Sequence, residues 1–182
     1  MTQVATDTGT GTAVAVYPDH GEADTAVKAL QHGGFDMRKL SIVGADYHSE
    51  EDVVGYYNTG DRMKSWGTNG AFWGGIWGLF FGAAFFIIPG IGPLVAAGPI
   101  VVAIVSALEG AVLVGALGAF GAGLVGLGVP KNSVVQYETA VKAGKFLVIA
   151  HGSRAEANKA KDILANAGLE LPDMHSAVPS PS

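Results

Sequence analysis

The sequence lacks cysteine altogether and has no excess of basic residues. Without cysteine among 182 residues, disulfides, thiolate metal ligands and cysteine nucleophiles are excluded. The net charge is −5, and nucleic-acid-binding proteins present a basic surface, so we expect no nucleic acid partner. The first twelve residues have neither a basic start nor an apolar run, so no secretory signal is expected and the N-terminus should stay in the cytoplasm.

Charge is also scarce in the middle third of the chain. From Ser65 to Pro130 the only charged residue is Glu109. An apolar run of about 18 residues is already typical of a bilayer-spanning helix, and this segment is several times longer. The pattern predicts an insert, residues 65–130, that is shielded from water by lipid or by other subunits.

The residues on either side of the insert have the pattern of one small α+β domain. The first flank reads as strand, helix and strand, at 13–17, 22–32 and 40–43. The second flank reads as a helix from Pro130, a strand at 146–150, a helix capped by Ser153 and Glu156, and a weak strand at 174–178. Two such halves predict a ferredoxin-like split βαβ sandwich, a four-stranded antiparallel sheet with helices on one face.

Each flank is too short to bury a core alone, so we expect residues 13–64 and 131–178 to fold together, between disordered tails at 1–12 and 179–182. Both ends of the insert then emerge on the same side of the membrane. That favours an even number of crossings. Arg62, Lys64 and Lys131 flank the insert with positive charge, which predicts that both termini are cytoplasmic.

The insert carries small residues at four-residue spacing. In helices these form grooves through which apolar helices approach each other closely. We expect them to mediate homo-oligomerisation. The residues are Gly70, Gly74, Gly78 and Gly82 in the first half and Ala111, Gly115, Ala119 and Gly123 in the second.

Tryptophans and prolines suggest how the insert is arranged. Trp66, Trp73 and Trp77 cluster at its start, as aromatic anchors at a membrane interface do. Pro-Gly breaks at 89–93 and 97–99 must turn the chain, and residues 100–127 have a helical pattern. We therefore expect a transmembrane helical hairpin with its apex near 89–99.

Glu109 is the candidate functional residue of the insert. An ionisable group within a bilayer is costly and is a functional hypothesis by default. Glu109 could accept protons, bind ions in an oligomeric pore, or hydrogen-bond between helices; alternatively it lies near an interface or faces a wet apex. No residue pattern predicts catalysis, a metal site or a cofactor.

A second arrangement stays open. The apolar inserts could be buried inside a soluble or peripheral oligomer, a cytoplasmic large particle. Such a scaffold could enclose a chamber or tube for a lipid, a quinone or the hydrophobic substrate of a partner enzyme.

The stretch after the insert, GVPKNSVVQYETAVKAGKFLVIAHG at 128–152, resembles a known family. Together with the opening strand–helix–strand and the glycine-rich insert, it is similar to bacterial general-stress proteins of the heat-induced, low-temperature-induced and related membrane families. The resemblance implies a ferredoxin-like cytosolic domain, membrane association and a stress context. It supplies no catalytic residue.

Overall fold

The computed structural model describes residues 9–45, 83–88, 90–110 and 118–176. These residues form an α+β fold with six strands and five α-helices. In chain order the elements are β1 (Thr10–Tyr17), α1 (His20–His32), β2 (Leu40–Ala45), β3 (Ala83–Ile88), β4 (Gly92–Ala97), α2 (Pro99–Glu109), α3 (Gly118–Gly126), α4 (Lys131–Lys142), β5 (Phe146–Ser153), α5 (Arg154–Asn166) and β6 (Asp173–Ser176), with a 3-10 turn at Met37–Lys39 before β2.

The six strands form one sheet in the order β3-β4-β2-β5-β1-β6, and each neighbouring pair is antiparallel. β5 lies between β1 and β2, so the two strands of the first flank do not touch each other. The two strands of the first flank are therefore joined through β5, a strand that follows the insert.

Helices cover both faces of this sheet, which corrects the prediction of four strands with helices on one face. α1 and α5 bury side chains such as Leu30 and Ala160 on one face. On the other face α2, α3 and α4 bury Ile104, Phe120 and Tyr137. The second face needs its own helices because alternate strand residues point to opposite sides, and both sets are apolar here.

Part of the predicted helical hairpin is a β-hairpin. β3 pairs with β4 along its length, from Ala83 opposite Ala97 to Ile88 opposite Gly92. The Pro-Gly break does turn the chain as predicted: Gly90 has a φ of +84°, and the Ile91 N–H donates to the Ile88 carbonyl at 3.0 Å. Strand pairing is favoured over a helix here because alternate residues can be buried on one face of the sheet. Ile88 of β3 and Leu94 of β4 are buried on the face that α2 covers.

The predicted continuous helix over 100–127 is wrong. α2 ends at Glu109, where the Gly110 N–H donates to the Ser106 carbonyl at 2.9 Å, and α3 begins at Gly118. A straight helix would hold positions 104 and 123 about 28 Å apart. Instead a Cβ on Gly123 would lie 2.8 Å from Ile104 Cγ1, so the two helices pack against each other.

Local contacts fix where two of the helices begin. The Ile100 N–H in the first turn of α2 donates to the hydroxyl of the buried Ser41 on β2, at 3.1 Å. The predicted capping box of α5 is confirmed, since the Ser153 hydroxyl accepts from the Glu156 N–H and the Glu156 carboxylate accepts from the Ser153 N–H.

Candidate functional site

One side of α2 presents apolar side chains to solvent. Val102 is 69 % exposed, Val105 39 % and Leu108 47 %. Their three-residue spacing places them on one side of the helix, while Ile100 and Ile104 are buried on the other. We call Val102, Val105 and Leu108 the α2 outer face. Apart from the exposed Ser106 and the terminal Glu109, this helix is apolar on both sides.

The β3–β4 hairpin is a second exposed apolar feature. Among the strands of the described residues, β3 lies at one edge of the sheet, and its sequence, AAFFII, has no charge, proline or glycine. Ile87 is 79 % exposed on the sheet face opposite to α2. An apolar edge strand of this kind offers backbone groups to another strand.

Sequence reasoning did not single out the exposed residues of α2, and it placed those of β3 on a helix. The signal for α2 was present in the sequence. A helix that is apolar all round must bury both sides, and PIVVAIVSALE has no polar stripe. β3 gave no comparable signal, because short apolar runs fit a strand and a helix equally well.

Glu109 is the exposed last residue of α2. It lies next to the α2 outer face and is not enclosed by apolar side chains. Its proposed role as an intramembrane polar site stays a prediction.

Two residues of the second small-residue stripe lie in the core of the same chain, and one of them, Gly123, faces α2. Ala119 packs against the core that α2 shares, and Gly123 is buried against Ile104. In this position they allow close packing of α3 on α2. Ala111, Gly115, the four glycines Gly70, Gly74, Gly78 and Gly82, and the tryptophans Trp66, Trp73 and Trp77 lie outside the described residues.

A cleft of about 590 Å³ lies where β1, β5 and the end of α3 meet. Lys39 Nζ lies 2.6 Å from Glu156 Oε1, and the Thr12 hydroxyl donates to the Leu127 carbonyl. The hydrogen bond from Lys39 holds the pKa of Glu156 below its usual value. The carboxylate is thus already used by the ion pair and the helix cap.

His151 lines the same cleft, opposite Thr12 on the neighbouring strand. Burial, followed by the charge of Lys39, lowers its pKa. Its Nδ1 is buried without a hydrogen-bond partner. An uncharged imidazole suits this position, since a buried cation would face Lys39.

A second polar cluster joins α4 to β6. The Tyr137 hydroxyl lies 2.6 Å from His175 Nε2 and 3.2 Å from Asp173 Oδ2, and Gln136 donates to the same carboxylate oxygen at 2.8 Å. Burial, then Asp173, raises the pKa of Tyr137. Burial lowers the pKa of His175. These contacts tie a core tyrosine to an edge strand, which is a structural role.

Neither a metal site nor a membrane span is found where the structure describes the chain. The parts searched hold no group of three His, Asp or Glu residues placed to bind a metal ion. None of the helices there is both long and apolar enough to cross a bilayer.

Comparison with known proteins finds one similarity, in the first half of the chain. Residues 12–85 match the family model described as heat-induced stress protein YflT domain, which includes β1, α1 and β2. The match covers less than half of the chain and confirms the resemblance to heat-induced stress proteins. It does not extend to 128–152, on which that resemblance mainly rested. Searches of curated proteins and of solved structures give no significant match.

Proposed function

We propose that this chain is a non-enzymatic stress protein that self-associates at the inner membrane, with the insert making the association. The observation that carries the proposal is the α2 outer face. Isolated exposed apolar residues are ordinary, but a continuous row is typical of surfaces that meet lipid or protein. The match of residues 12–85 to a heat-induced stress protein domain supports the stress context.

α2 suits a membrane surface rather than a crossing. Its inner side holds Ile100 and Ile104 in the core, while its outer face is free to enter the boundary between headgroups and acyl chains. The predicted cytoplasmic positions of both termini stay part of the proposal.

Flotation of the purified full-length protein with vesicles of phosphatidylethanolamine and phosphatidylglycerol tests this function. We expect the parent protein to float and a Val102→Glu/Leu108→Glu variant to lose most of its flotation, because carboxylates would have to leave water. Val135→Glu is the matched control: Val135 is 64 % exposed on α4, outside the insert. Equal flotation of the double variant and the control would contradict the proposal.

A soluble or peripheral oligomeric scaffold is the second candidate, and one observation favours it. α2 and α3 pack on the sheet of their own domain, where Phe120 and Leu124 share a core with Tyr137. Such a core is typical of water-soluble domains. In an oligomer, the insert could then line a closed chamber for a lipid, a quinone or the substrate of a partner enzyme. Recovery of a discrete large particle without detergent, and without flotation, would favour this candidate.

A further inference from the structure

The backbone of β3 presents a regular row of hydrogen-bonding groups at the sheet edge. The Ile88 carbonyl accepts from Ile91 across the turn, so the polar groups of Ile88 face β4. Successive residues of a strand direct these groups to alternate sides. Those of Ala83, Phe85 and Ile87 therefore face outward. The position of Pro93 is consistent with this orientation of Ile87. Pro93 lies opposite Ile87 and has no N–H that could be donated to β3.

The two edges of the sheet differ. β6 has four residues, two of which are Asp173 and His175 in the polar cluster with Tyr137. Short, charged edge strands resist pairing with other chains. β3 has six residues and none of these protective features.

We infer that β3 pairs antiparallel with β3 of a second copy of this chain, across a two-fold axis at Phe85. This inference rests on the proposed self-association and names its interface. The outward-facing positions are symmetric about Phe85, so Phe85 lies opposite Phe85 of the second copy and Ala83 lies opposite Ile87. Each such pair exchanges two main-chain hydrogen bonds.

A second copy fits this edge better than a different partner. The same strand supplies matching donors and acceptors to itself, which is the condition for a closed two-fold interface. Both strands are uncharged, so no like charges meet across the axis. The two six-stranded sheets would join into one continuous sheet.

Single-cysteine variants test the register, because the natural chain has no cysteine. Opposed residues of a hydrogen-bonded pair have Cα atoms about 5.5 Å apart, within the range of a disulfide. We expect the Phe85→Cys variant to form a disulfide-linked dimer on mild oxidation. Ile87→Cys alone should not, since its symmetry mate lies about 13 Å away along the strand.

A mixture of the Ala83→Cys and Ile87→Cys variants provides a second test of the register. It should yield a mixed dimer that neither variant forms alone, because only the antiparallel register centred on Phe85 opposes these positions. The inference would be overturned if Phe85→Cys cross-linked no more than Ile87→Cys. It would also be overturned if the mixture gave no mixed dimer.

The molar mass in solution tests the hydrogen bonds. Phe85→Pro removes an outward N–H without removing a bond to β4, whereas Phe85→Thr changes the side chain and keeps that N–H. We expect Phe85→Pro to halve the molar mass by light scattering and Phe85→Thr to keep it. An unchanged mass of Phe85→Pro would contradict edge pairing; if that variant misfolds by circular dichroism, the cysteine variants decide.

Flotation separates this inference from the proposed function. Folded Phe85→Pro should still float with vesicles, because the α2 outer face is intact. Cross-linking of Phe85→Cys in a protein that never floats would keep the interface and remove the membrane role. Flotation of a protein in which Phe85→Cys does not cross-link would keep the membrane role and remove the interface.

Discussion

At the residue scale, two partly buried histidines link the stability of the fold to pH. His151 and His175 lie opposite Thr12 on the two strands that flank β1. Burial lowers the pKa of both imidazoles. Lys39 and Glu156 are the charged groups near His151, and Asp173 is the one near His175. The fold therefore holds both histidines more readily in the neutral form.

We predict that the urea midpoint of unfolding falls as the pH drops from 7.5 to 5.5. The unfolded chain binds protons near the ordinary histidine pKa of 6.5, and the folded chain binds them only at lower pH, so the full stability is present above 6.5 and is lost below it. A His151→Asn/His175→Asn variant should show a flatter profile. The control His32→Asn, at an exposed position, should keep the slope; an equally flat profile for the control would contradict the assignment.

At the scale of elements, the junction of β4 and α2 is the tightest glycine position with a positive φ. Gly98 has a φ of +91°, and a Cβ there would lie 2.3 Å from the Leu40 carbonyl oxygen. Gly168, after α5, also has a positive φ, +69°, but a Cβ there would meet no atom within 4 Å. Comparing Gly98 with Gly168 therefore separates the cost of a positive φ from the cost of a steric clash.

We predict that Gly98→Ala lowers the free energy of unfolding by about 3 kcal/mol or more, because both strain and a backbone clash oppose it. Gly168→Ala should cost about 1–2 kcal/mol from its left-handed conformation alone. Urea denaturation of the full-length protein measures both. Similar losses for the two variants would show that β4 and α2 do not meet β2 as closely as described.

At the scale of the whole molecule, the insert and the flanks share one core. Ile104 and Phe120 of the insert pack with Val43 and Tyr137 of the flanks. The sheet face beneath them would be exposed to water without α2 and α3. The insert is thus required to bury this face of the sheet.

We predict that a chain joining residues 1–64 to 131–182 through a short glycine linker does not unfold cooperatively. It would leave apolar side chains such as Val43, Leu147 and Ile149 on an open sheet face. Thermal unfolding followed by near-ultraviolet circular dichroism, with dye binding to apolar surface, checks this against the full-length protein. A sharp transition in the shortened chain would contradict a shared core.

Much of the flanks could be read from the sequence because their signals are local. The capping residues Ser153 and Glu156, the stop at Gly33 and the strand around Leu147 each depend on neighbouring residues only. The insert could not be read in this way. Its apolar residues satisfy a bilayer, a buried sheet and a helix pair alike, and Ile104, Gly123 and Leu94 become core residues only through contacts distant in sequence.

The sequence by itself determined the α+β class, the elements of the flanks, the turns at Gly90 and Gly98, and the resemblance to heat-induced stress proteins. Only the tertiary structure decided that β3 and β4 extend the sheet and that α2 and α3 cover its second face. The physical reason is that hydrophobicity has no direction. A run of apolar residues shows that water must be excluded, while strand pairing and packing between distant segments decide what excludes it.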